Sequence, residues 1–145
     1  MIVRGFILAG LALFTSGCGS EPEKTTAPLP TAMTDDAVGY FCQMSIFEHE
    51  GPKAQIFVAG EQDPLWFSQV RDGIVFTRLP EETREVTAFY VNDMGNTDDW
   101  TSPGIDNWID ASDAYFVIES KRWGGMGASE AVPFGDKAKA LKYIE

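Results

Sequence analysis

The sequence predicts an α+β fold, and three observations carry that prediction. Segments of strand character alternate with two helix candidates. Each helix candidate is associated with a proline, Pro64 and Pro133. The two halves also rhyme. Each holds a strand and then a helix that needs a sheet to pack on, and the first half returns to the sheet with a further strand.

In chain order, "AQIFVAG" alternates and is β-rich, so Ala54 to Ala59 reads as a strand. "DPLWFSQVRDGIVF" offers Asp63 as a cap, Pro64 as a first helical residue, and apolar Leu65, Trp66 and Val70, which predicts a short helix over Pro64 to Arg71. "REVTAFYVNDMG" predicts a strand from Glu85 to Asn92, and "WIDASDAYFVIES" another from Ala114 to Glu119. The closing "VPFGDKAKALKYIE" places Phe134, Ala138, Leu141 and Ile144 on one helical face after Pro133. The second half stops at Glu145, at the end of that helix. Either its repeat is incomplete or the chain is a shortened version of a longer one, and a missing strand would leave the apolar helix face without cover.

The first 17 residues stand apart from this domain. Arg4 precedes the apolar run "FILAGLALF", which is too short to span a membrane and remain there. "TSGC" follows and ends at Cys18, as a lipoprotein signal peptide does at its lipobox. Thr15 departs from the Leu usual at that position, and the competing reading is an ordinary secretory signal. Lipid on Cys18 would anchor the mature chain to a bilayer. Gly19 in second place, rather than Asp, gives no signal for inner-membrane retention and points to the outer membrane. "GSEPEKTTAPLPTAMTDD" is rich in Pro, Thr, Ala and acidic residues and reads as a flexible tether. The expected division is therefore 1–17 signal peptide, 18–36 tether and 37–145 folded domain.

Charge narrows the function classes. The chain has 11 Lys plus Arg against 22 Asp plus Glu. Loss of the leader removes only Arg4, leaving a net charge of −12. No basic patch exists to meet phosphates, so nucleic acid is excluded as a partner. Six Asp and no Lys or Arg fall between Asp93 and Asp113, which reads as a solvated face able to repel anions or attract cations.

Cys18 and Cys42 are the two cysteines. With Cys18 taken by lipid, Cys42 has no disulfide partner within the chain. A lone thiol in an oxidising compartment invites a reason. One is metal ligation; the other is burial as a small hydrophobe between Tyr40, Phe41 and Met44. In "YFCQMS" the thiol stands two residues from the Met44 thioether. Soft Cu(I) prefers thiolate and thioether sulfur to carboxylate or water. Residues two apart share a side only if the backbone is extended or turned, since on a helix they diverge.

Met126, in "RWGGMGAS", is the candidate for a third sulfur, because glycine-rich backbone exposes the side chain it carries. Met94 in "NDMG" is its rival, and Met33 lies in the tether. His49, the only histidine, is seven residues beyond Cys42 and its imidazole also suits copper. The plainer alternatives are a loop role for Met126 and a surface or capping role for His49. A closed zinc site would want four Cys or His ligands. No phosphate loop, dinucleotide fingerprint or nucleophile triad is present.

Taken together, the lipobox cysteine, "FCQMS", "AFYVNDMG", "YFVIES", "WGGMGAS" and "PFGDKAKA" resemble the NosL family, the copper-binding accessory lipoproteins of nitrous oxide reductase maturation. The likeness covers the leader and nearly all of residues 37 to 145. It implies a periplasmic Cu(I) metallochaperone rather than an enzyme, anchored by lipid at Cys18. Copper would pass to a membrane ABC-type assembly complex and, through it, to nitrous oxide reductase. The family's cysteine and methionine match Cys42 and Met44, and its downstream methionine matches Met126.

The fold implied is a pair of small ββαβ-like lobes, related to that of organomercury lyase, with the second lobe lacking its last strand here. The residue between Cys and Met is commonly Gly in the family; here it is Gln43. Two other classes remain open. One is a structural assembly factor with incidental metal binding. The other is a lyase-like enzyme, against which the single mature cysteine argues.

Overall fold

The computed structural model describes residues 26–144. The signal peptide, Cys18 and the first part of the expected tether lie outside the described residues. The first lobe runs β1 (Ala54–Val58), β2 (Leu65–Phe67), α1 (Val70–Phe76), β3 (Val86–Asn92), a ββαβ unit, followed by β4 (Trp108–Asp110). Its antiparallel sheet has the order β2-β1-β3-β4. The second lobe pairs β5 (Tyr115–Val117) with β6 (Val132–Phe134) and carries α2 (Lys137–Ile144). Among the described residues no helix is long and apolar enough to cross a membrane.

Every residue of β1 is buried, because the strand is covered on both faces. Alternation sends Ala54, Ile56 and Val58 into one core with Phe67, Val70, Phe76 and Val91. Phe67 and Phe76 are fully buried, worth roughly 1.5–3 kcal/mol each by the area they remove from water. The opposite face carries Phe57, packed with Ala88 and Tyr90, and Gln55. Gln55 is wholly buried and satisfied by the Thr31 backbone: its Oε1 accepts from Thr31 N–H, and its Nε2 donates to Thr31 C=O, both at 2.9 Å.

That pairing corrects the expected tether boundary. Residues 28–36 do not hang free. Tyr90 Oη donates to Pro28 C=O at 2.7 Å, Met33 N–H donates to Ile105 C=O at 2.8 Å, and the Met33 side chain is buried with Ala37 and Ile46. The composition of this stretch is that of a linker, but one amide of β1 and one apolar pocket hold it to the sheet.

The expected helix over Pro64 to Arg71 is also corrected. Leu65, Trp66 and Phe67 pair in register with Ile56, Gln55 and Ala54. Trp66 faces Trp108 (ring centroids 5.8 Å apart) while Phe67 enters the α1 core, so the two aromatic rings serve opposite sides of a strand. The helical period begins at Val70, where Val70, Gly73 and Phe76 are the buried residues. The strands expected at Ala54–Ala59, Glu85–Asn92 and Ala114–Glu119 contain β1, β3 and β5.

Phe134, expected on the last helix, belongs to β6 instead. α2 buries Ala140 and packs Tyr143 on the second core, against Phe134 (ring centroids 5.1 Å apart). Leu141 and Ile144 are 54% and 65% exposed, so the helix presents a different face inward from the one its apolar spacing suggested. The lobes are joined where Met94 N–H meets Pro133 C=O at 2.9 Å and Asp93 Oδ1 accepts from both Gly95 and Gly135 N–H.

Candidate metal centre

The Cys42 loop is a tight turn on the edge of the first sheet. Gly39 C=O accepts from Gln43 N–H at 2.8 Å, Gly39 N–H donates to Met44 C=O at 2.9 Å, and Tyr40 N–H donates to Trp66 C=O at 2.7 Å. Gln43 closes the turn in the left-handed region, at φ 57°. Its Nε2 donates to Tyr40 C=O at 2.7 Å, which offsets part of that conformational cost. Of the two geometries the metal reading allowed for "CQM", extended or turned, the chain adopts the turn.

This turn brings the half-buried Cys42 Sγ to 3.3 Å from Ser68 Oγ and 3.8 Å from His49 Nε2. Gly39 makes the approach possible. A Cβ there would lie 2.5 Å from Cys42 Sγ and 2.7 Å from Ser68 Oγ, inside any real contact. His49 follows a 3-10 turn, Ile46–Glu48, and is itself buried.

Its ring is fixed by one bond: Nδ1 lies 2.9 Å from Gly125 C=O. A carbonyl can only accept, so Nδ1 carries a proton, and in the neutral ring Nε2 presents its lone pair toward the thiol. This is the arrangement of a ligating histidine, whose second nitrogen is tied to a backbone carbonyl.

Gly125 C=O comes from the other lobe. The segment between β5 and β6 folds into a hairpin, with Trp123 bridged to Ser129 and Gly124 N–H donating to Ala128 C=O at 2.7 Å. Met126 sits at its tip, 41% exposed, and Met44 is 40% exposed. The glycines before Met126 are there for closeness, not for looseness. A Cβ on Gly125 would lie 2.5 Å from His49 Cβ, and one on Gly124 would lie 2.6 Å from Gln69 Oε1 and from Glu130 Oε2. The rival Met94 packs against the second core, and Met33 is buried in another. Of the four methionines described, the two outside the cores are the two on the loops that meet at His49.

Three residues that spacing did not single out organise the junction. Ser68 is buried and faces the thiol. Gln69 precedes α1; its Oε1 accepts from Met126 N–H at 3.3 Å and its Nε2 donates to Asp72 Oδ1 at 2.8 Å. Glu130 is buried and accepts from the N–H groups of Val70 at 3.2 Å, Arg71 at 2.9 Å and Ala131 at 2.8 Å, so it satisfies the open end of α1. Burial raises the Glu130 carboxyl to about 7, although those three bonds pull the other way. Lys53, also buried, is lowered to about 8 by the same loss of water, opposed by the charges of Glu130 and Glu50. Its Nζ donates to Gly51 C=O at 2.5 Å.

Among the described residues no group of three or more His, Cys, Asp and Glu side chains is placed to hold a metal. A centre here needs thioether sulfur to go beyond the Cys42–His49 pair. The sequence profile of the family described as NosL matches residues 30–145. The chain belongs to the NosL family.

Two relatives described as "Copper-binding lipoprotein NosL" align with nearly all of it. The one from Achromobacter cycloclastes is 45% identical over 141 residues, 96% of this chain and 72% of its own length. The one from Stutzerimonas stutzeri is 33% identical over 143 residues, 97% of this chain and 73% of its own. The crystal structure described as the copper chaperone NosL from Shewanella denitrificans superposes with a TM-score of 0.72 at 30% identity, covering 81% of this chain and 87% of that one. The NosL likeness therefore extends over both lobes, including the Cys42 turn and the Met126 hairpin.

Proposed function

We propose that this NosL-family chain is a Cu(I) metallochaperone, a carrier rather than an enzyme. It would be held by lipid at Cys18 on the periplasmic side of a bacterial membrane, the outer one by its second mature residue. Its copper would go to a membrane ABC-type assembly complex and so to nitrous oxide reductase. The observation that carries the reading is the His49 Nε2 lone pair facing Cys42 Sγ at 3.8 Å. With bonds of about 2.3 Å to sulfur and about 2.0 Å to nitrogen, the lengths found for d¹⁰ zinc, an ion between them subtends roughly 120°. That is the angle of a three-coordinate site, and it leaves the remaining direction to thioether sulfur from Met126 or Met44.

In this reading capture is a ligand exchange with no change of oxidation state. The Cys42 S–H bond breaks, its proton goes to water, and a sulfur–copper bond forms. The thiolate charge cancels that of the ion, His49 supplies nitrogen, and the thioethers exclude harder cations. Delivery reverses these steps. An incoming sulfur ligand displaces a neutral thioether first, copper is shared, and Cys42 regains a proton as it leaves. A lipid at Cys18 would raise the effective concentration of the donor at a membrane acceptor.

The test is anaerobic Cu(I) titration of the leaderless chain against a chromophoric chelator. One ion per chain is expected, with Cys42→Ala and His49→Ala each weakening it by tenfold or more. Full affinity in Cys42→Ala would end the proposal.

A further inference from the structure

Gly125 C=O and Met126 N–H are the two polar ends of one peptide unit. Each is bound by a different buried side chain: the carbonyl by His49 Nδ1–H at 2.9 Å, the amide by Gln69 Oε1 at 3.3 Å. A peptide unit is planar, so fixing both ends fixes the orientation of the plane and the place of Met126 Cα, and the turn bond from Gly127 N–H to Gly124 C=O at 2.9 Å restrains the φ rotation that sets where the side chain departs. Gln69 is itself held. It is only 3% exposed, its Nε2 is tied to Asp72, and its backbone leads into α1.

The base of the same hairpin is anchored next door, where Glu130 accepts from Val70 and Arg71 N–H. Hairpin tip and base thus both rest on Gln69, Val70 and Arg71. Gly124 lets the tip pack close on Gln69, since a Cβ there would lie 2.6 Å from Oε1.

We propose that Gln69 is a positioning residue of the metal centre: through the 125–126 peptide it aims the Met126 thioether at the Cys42–His49 pair and completes the hydrogen-bond chain that orients His49. This rests on the copper reading above. Gln69 touches no reacting atom. It acts as outer partners of metal ligands do, by reducing the number of orientations the ligand can take before metal arrives. Without its amide the 125–126 plane is held at one end only, and Met126 samples directions that do not reach the metal.

The test is a double-mutant cycle on Cu(I) affinity using Gln69→Ala, Met126→Ala and the pair, with folding checked by circular dichroism. Gln69→Asn runs in parallel, because it keeps an amide but withdraws it by one methylene from Met126 N–H. The expected result is a tenfold to hundredfold loss for Gln69→Ala, a loss at least threefold smaller when the same change is made in Met126→Ala, and the Met126 amide resonance moved in both Gln69 variants.

Unchanged affinity in Gln69→Ala, or losses in the two backgrounds that agree within threefold, overturns the proposal. If Gln69→Ala does not fold, the same criteria apply to Gln69→Asn. Cys42→Ala in the same series separates the two failures: if it keeps full affinity, the copper site is wrong; if it loses affinity while the Gln69 variants do not, only the positioning role is.

Discussion

Glu130 links the Met126 hairpin to the start of α1, and its environment makes a quantitative prediction. Burial holds the carboxyl at about 7 in the folded chain, against an ordinary value of 4.5. Between those two pH values the folded state keeps a proton that the unfolded state has released. Stability contributed by this group is therefore complete below 4.5 and is lost as pH rises through 7. The gap of about 2.5 units corresponds to about 3 kcal/mol.

Glu130→Gln removes the titration. The amide keeps one oxygen for the N–H groups of Val70, Arg71 and Ala131 but loses the second, a penalty on the order of 1–2 kcal/mol that does not depend on pH. Urea unfolding at half-unit steps from pH 4.5 to 7.5 reads both terms. The wild-type chain should lose about 3 kcal/mol more stability across that range than Glu130→Gln does. Parallel pH profiles would refute the reasoning, because they would mean that the buried carboxyl titrates alike in the folded and unfolded states.

The Cys42 turn gives two further predictions. Gly39→Ala drives a methyl group against Cys42 Sγ and Ser68 Oγ, so it should cost about 1–3 kcal/mol in thermal or urea unfolding and lower Cu(I) affinity together; an unaffected site would show that Gly39 does not set the thiol position. Gln43 occupies a left-handed position, so Gln43→Gly should retain stability and copper affinity, while the β-branched Gln43→Val should lose about 1–2 kcal/mol. Equal stability of the two variants would show that the turn relaxes away from φ 57°.

Much of the sheet was legible because β1, β3 and β5 follow the physics of strands, with β-branched and aromatic residues in short runs. Both misread elements involve prolines. Pro64 immediately precedes β2, and Pro133 lies within β6 opposite Phe116, where a missing N–H is tolerated in a two-stranded ribbon. Proline restricts φ in either element, so its presence alone does not choose between them. β4 is three residues long and borrows its identity from pairing with β3, which no local pattern announces.

Cys42, Met44, His49 and Met126 are candidates by ligand chemistry and by their sequence setting. What draws them together could not be read in the same way. Ser68 meets Cys42 across 26 positions, and Glu130 reaches Val70 across 60. The glycines around Met126 suggested freedom; two of them supply close approach instead. A polar residue such as Gln69, between Ser68 and Val70, carries no signal of the backbone amide it will eventually hold.

X-ray absorption at the copper edge of the Cu(I)-loaded chain tests the central claim most directly. Two sulfur neighbours at about 2.3 Å with one nitrogen at about 2.0 Å are expected, with one sulfur lost in Cys42→Ala and the nitrogen lost in His49→Ala. A shell of oxygen and nitrogen alone, or a spectrum unchanged by Cys42→Ala, would contradict it.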